Sequence, residues 1–204
     1  MMALRDDGLY RHLRFKRPET ICESFDLITY PGGLLYRGDM GAFCFERTTD
    51  MFKFFRTDRG SINPSYWSEK LVGVDRCRNP VKEFCEETFD QRIKEIVLRW
   101  VRDNEYHTTR EQRRKLWDTV LEEVIGADSD SGGDRKQIAA NDFSHQIYPG
   151  KRFHFNDLWE DNFTEYTHRF LWCCYALVWG IAKYDEMKAQ EKASAPAVVE
   201  GGEA

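Results

Sequence analysis

Proline is scarce, with 6 residues in 204, and no charge sign dominates: 30 Lys and Arg stand against 35 Asp and Glu, a formal net charge of -5. A dedicated nucleic-acid coat carries a large basic excess and a polyacidic decoy the reverse, so neither class applies. Long apolar runs are also missing. The longest, Phe170 to Ala182, has 13 residues, whereas a membrane span needs about 20, so it reads as a buried helix. The motifs G-x-x-x-x-G-K-[ST], G-x-G-x-x-G and G-x-S-x-G are absent, which leaves phosphate-loop and serine-hydrolase mechanisms without a signature. None of the cysteines, Cys22, Cys44, Cys77, Cys85, Cys173 and Cys174, stands in a C-x-x-C pair, so zinc and redox sites have no spacing to support them. With no leader of charged, apolar and small-residue regions, the expected compartment is the reducing cytoplasm. Cys173 and Cys174 then serve as small apolar core residues.

What is present is apolar and aromatic material, 41% and 14% of the residues, enough for one well-buried domain. From Arg11 to Arg47 the apolar residues alternate or form short runs between turns: Arg11 to Arg17, Ser24 to Tyr30, Gly33 to Tyr36 and Ala42 to Glu46, joined by Pro31-Gly32 and Gly38-Asp39-Met40-Gly41. That is strand periodicity with short connections, and it predicts an antiparallel β-meander of three or four strands over about residues 11–47. After Arg47 the period becomes helical. Thr49-Asp50 can cap a short helix through Phe55, and Asn63-Pro64 can open one containing Tyr66, Trp67 and Leu71. Pro80 to Asp103 carries an apolar stripe including Phe84, Ile96, Val97 and Trp100, and a Thr109/Gln112 capping box precedes a helix closed by Gly126. Asp128 to Asp134 reads as an exposed loop, Lys136 to Phe143 as a short helix, and 153–159 as either strand or helical turn. Thr164 to about Gln190 reads as a helix apolar on every side, hence central, with Trp172, Leu177 and Trp179 buried. The expected fold is therefore α+β: the meander packed on helices 80–103, 109–125 and 164–190 in a single domain 1–190, followed by a disordered tail 191–204.

Several places have residue types suited to chemistry, and each lacks a member. Glu165 and His168 have E-x-x-H spacing, but a carboxylate-bridged metal bundle needs a second copy; His154 with His168 and a cysteine matches no zinc pattern. Asp39 and Glu46 flank a strand, as Mg²⁺-binding carboxylates can, without the companion lysine that positions an attacking water. No catalytic residue and no cofactor is therefore expected. Two basic clusters remain as candidate phosphate contacts: Arg11, Arg14, Lys16 and Arg17 on the first strand, and Arg110, Arg113 and Arg114 on a helix start. Tyr66 and Trp67 sit in a loop-bounded segment, where aromatics serve either as interface anchors or as core plugs.

The strings Asp6 to Phe15, Tyr36 to Phe45, Asp50 to Arg56 and Asn63 to Lys70, with Trp172 to Asp185 near the end, resemble a family of uncharacterised accessory proteins of tailed phages and prophages. Residues 108–150 do not share in the resemblance. No activity is assigned to that family, so no functional residue transfers. The resemblance implies a bacterial host cytoplasm and a non-catalytic protein that binds and inhibits a host protein of an anti-phage defence or DNA-processing system, through the sheet or Thr57 to Asp75. The alternative is a phage protein that binds nucleic acid or processes it with a metal. Convergence of the two arginine clusters in one groove would favour the alternative.

Overall fold

The computed structural model describes residues 1–20, 22–57, 60–77, 80–128 and 133–194. The chain divides into two compact units, residues 1–81 with 166–204 and residues 82–165, where the sequence reading draws one domain over 1–190. Each unit has its own cluster of buried apolar side chains.

The first unit is built on a six-stranded antiparallel sheet in sequence order. Its strands are β1 (Met2–Asp7), β2 (Tyr10–Lys16), β3 (Ser24–Tyr30), β4 (Gly33–Gly38), β5 (Gly41–Glu46) and β6 (Leu71–Val74). The expected meander is its centre, enlarged by an edge strand on each side. In-register pairs Leu13↔Leu27, Leu27↔Tyr36 and Tyr36↔Phe43 put one apolar row on the same face, because side chains alternate across a strand. The β3–β4 turn depends on Gly32, whose φ of +89° lies in the left-handed region after Pro31. Two short helices follow, α1 (Met51–Phe55), capped by Asp50 on the Phe52 N–H, and α2 (Pro64–Ser68), capped by Asn63. Leu71 is not in the second helix as expected but begins β6, beside Phe45.

Helix α6 (His168–Ser194) covers the apolar row, burying Phe170, Cys173, Cys174, Leu177 and Ile181 among the sheet residues. It passes close at Gly180, where an added Cβ would lie 2.9 Å from Leu27 Cδ1. The helix starts at His168, not Thr164, because the Thr167 hydroxyl accepts the Phe170 N–H (3.2 Å) while donating to the Pro80 carbonyl (2.9 Å), which caps the helix there. It also runs past the expected end near Gln190 to Ser194; the rest of the expected tail, 195–204, lies outside the described residues. Its centre is not buried all round, since Trp179 is 50% and Tyr175 58% exposed. The helix is apolar on two sides but, among the described residues, covered on one.

The second unit opens with β7 (Lys82–Phe84), which pairs with β10 (Thr164–Tyr166), so residues 82–84 are strand where the sequence predicts helix. Helix α3 (Glu86–Asp103) begins beyond it, with Glu86 and Glu87 in its positively polarised first turn. Then come α4 (Arg110–Val120), opened by the Thr109/Gln112 capping box and continued as a π-helical turn to Ile125, and α5 (Asp134–Asp142). A hairpin of β8 (Ser144–Tyr148) and β9 (Lys151–His154) and a 3₁₀ turn at Leu158–Glu160 follow. Most of the expected loop 128–134 is outside the described residues. Phe89, Ile93 and Val97 pack with Leu116, Val120, Phe143 and Phe153. Helices α3 and α4 thus build this second core; the core on the sheet draws on residues 13–67 and 170–184. Ile96, Trp100 and Phe84 are half-buried at its margin. Lys136, 1% exposed, is held by Glu86 (2.6 Å) and Asp90 (2.9 Å).

Candidate functional site

Trp67 and Tyr66, adjacent on α2, have separate roles. Trp67 is buried edge-on against Phe55, with ring centroids 5.0 Å apart, so it is a core residue. Tyr66 remains partly exposed, with the Lys70 ammonium 4.5 Å from its ring centroid.

The first basic cluster divides by strand parity. Arg11 faces inward with Leu13 and Phe15; it is buried, donates to Asp50 (3.0 Å) and lies over the Phe52 ring. It is not available to a surface ligand. Arg14 and Lys16 face outward with His12, and Arg17, beyond the strand, pairs with Glu23 at 2.9 Å. On the outer face Asp26 collects the charges: Arg14 donates twice (2.8 and 2.9 Å), His12 Nε2 stands at 3.2 Å and Arg37 Nε at 3.6 Å. The hydrogen bonds from Arg14 outweigh burial and hold the Asp26 carboxyl below its ordinary range, with help from His12. The second cluster lies in the other unit. There Arg113 donates to the carbonyls of Thr108 (2.6 Å) and Glu105 (3.0 Å), Arg114 lies 3.7 Å from Asp118, and Arg110 is exposed at the start of α4. Arg113 therefore caps backbone oxygens at the preceding turn.

The weak catalytic candidates do not assemble. Asp39 is in the β4–β5 turn, where it accepts the Ser24 N–H at 3.0 Å, and Glu46 ends β5. At about 3.3 Å per residue, the strand between them separates the two by roughly 20 Å. Glu165 is in β10 and His168 starts α6, so the two do not share a helix face. Among the described residues no group of three or more His, Cys, Asp or Glu could hold a metal ion. Burial pushes the Cys174 thiol up to about 12 and raises that of Cys173 well above its ordinary value, so neither is a ready thiolate.

One surface feature was not expected from the sequence. Along the uncovered side of α6, Trp172, Tyr175, Val178, Trp179 and Ala182 line an apolar groove of about 630 Å³, with Phe25 at its sheet side. Trp172, Tyr175, Trp179 and Ala182 recur at intervals of three, four and three residues, the seam spacing that a second helix packs against. Trp172 is anchored edge-on to Phe25 (5.5 Å) and Tyr36 (6.1 Å), so this aromatic surface is held in place from below. No described helix is long and apolar enough to cross a membrane. Comparison with protein-family models, with curated proteins and with solved structures finds no match to the chain.

Proposed function

We propose that this chain is a phage-encoded accessory protein that binds, and without catalysis inhibits, a bacterial host protein of an anti-phage defence or DNA-processing system. The observation that carries the binding role is the aromatic groove on α6, since rigid, half-exposed Trp and Tyr side chains are the usual anchors of protein interfaces. An uncovered apolar surface of this kind on a folded chain is a marker of a docking site. Its heptad-like spacing suits a helix of the partner, with apolar residues entering between Tyr175 and Trp179. The phage origin and the class of target rest on the resemblance of residues 6–70 and 172–185 to phage accessory proteins. The docking surface in this reading moves from Tyr66 and Trp67 to α6, because Trp67 is taken up by the core.

The test is capture of partners by tagged protein from nuclease-treated bacterial lysate, followed by reconstitution with the purified partner and an assay of that partner's own activity. The wild type is expected to bind and to inhibit. Trp179→Asp should abolish both while the chain stays folded, with at most a modest drop in melting temperature. Inhibition that survives Trp179→Asp and Tyr175→Asp would remove the groove from the account. Hydrolytic activity of the purified chain alone would overturn the non-catalytic reading.

A further inference from the structure

A second site lies on the other face of the sheet and is independent of the α6 groove. There Arg14, Lys16, Ser24 and Arg37 line a cleft of about 230 Å³ with Asp26 in its lining. The registers Arg14↔Asp26 and Asp26↔Arg37 place the two arginines on strands either side of the aspartate, so their Cα atoms are about 10 Å apart across neighbouring strands. Asp26 takes the Nε and Nη2 of Arg14 and fixes that guanidinium. Arg37 approaches Asp26 only to 3.6 Å and its side chain is 61% exposed, so its donors are open to a ligand. Lys16 is exposed at the end of β2. Three cations stand against the nearly buried Asp26 carboxylate and that of Asp39, which accepts the N–H of the lining residue Ser24 at 3.0 Å, so the cleft keeps a surplus of positive charge.

We infer that this cleft binds a phosphate ester, that of a nucleotide or of a single-stranded nucleic acid. A phosphate offers several oxygens that accept together from the open Arg37 guanidinium, the Lys16 ammonium and the Nη1 side of Arg14 that Asp26 leaves free, whereas a single carboxylate offers two. Asp26 serves as a positioning residue that fixes Arg14 before the ligand arrives. On the same outward parity lies Tyr10, with the Arg5 guanidinium 5.1 Å from its ring centroid, an exposed aromatic on which a base can stack.

The experiment is fluorescence anisotropy of a fluorescein-labelled twelve-residue thymidine strand, with unlabelled AMP, inorganic phosphate and acetate as competitors. Wild-type protein is expected to bind the strand with a negative salt slope, and AMP and phosphate, but not acetate, should displace it. Lys16→Glu and Arg37→Glu should each weaken binding about tenfold or more and flatten the salt slope by about 0.7, the share of one neutralised phosphate on a single strand. Arg47→Glu, just beyond the far end of β5, should leave binding unchanged. Circular dichroism melting of the same samples should show both cleft variants folded, since the substituted side chains are exposed. Strand affinity at least tenfold above that of AMP assigns the site to nucleic acid; equal affinity assigns it to free nucleotide. No binding of strand, AMP or phosphate, or equal weakening in Arg47→Glu and the cleft variants, overturns the inference.

Discussion

Trp67 and Trp179 put one residue type to opposite uses, and truncation separates them. Trp67→Ala empties a site only 2% exposed and is expected to cost about 3–5 kcal/mol in urea unfolding. Trp179→Ala should cost less than about 1.5 kcal/mol in the same measurement, and half-buried Trp100, edge-on to Phe153, should fall between them. Equal losses for Trp67 and Trp179 would contradict the exposed groove. Asp26 makes a prediction about acid. Its carboxyl titrates lower in the folded chain than its ordinary 3.8, so its stabilisation is complete above that value and fades as pH falls through the lower folded value. In acid titrations followed by circular dichroism, Asp26→Asn should therefore be less stable than wild type at pH 6, and the gap should narrow as the pH is taken below 3.8. Lys136 presents the opposite sign of charge. Burial opposes its charge, but the hydrogen bonds it donates to Glu86 and Asp90 prevail and raise its pKa. Lys136→Ala should destabilise by about 3 kcal/mol by leaving those carboxylates uncompensated, and Lys136→Met by less because it refills the space.

At the scale of elements, the strands with one buried face were legible and the others were not. β2 to β5 alternate because the sheet presents one side to α6; β1 is exposed at all six positions and has no alternation to read. Two three-residue strands, β7 and β10, are too short to show a period of their own, so the helical patterns beside them absorbed residues 82–84 and 164–166. The Thr109/Gln112 box was legible because capping is a local, two-residue exchange. Thr109→Ala should cost about 1 kcal/mol and raise amide exchange in the first turn of α4. In α6 the seam Trp172-Tyr175-Trp179 was hidden by equally apolar Cys173, Cys174 and Leu177 on the covered side. In the cleft, Arg14 and Lys16 were legible as charges, whereas Arg37 joins them only through the β3–β4 register, which no local pattern encodes.

For the whole molecule, the two clusters of buried side chains make a further prediction. Residues 82–165 include the full second core from Phe89 to Phe163. Expressed alone, this segment is expected to show helical circular dichroism and a cooperative melt; a structureless segment would mean that its core depends on the remainder of the chain. The order of elements also has a consequence during translation. The sheet strands through β5 are synthesised by Glu46, but the helix that shields their apolar side begins only at His168. At about 5–20 residues per second, the ribosome needs roughly 6–24 s to make the intervening residues. Throughout that interval Leu13, Leu27, Leu34 and Phe43 are without their α6 cover, so nascent chains stalled before codon 168 should bind holdase chaperones and aggregate when released, and chains released after codon 194 should not.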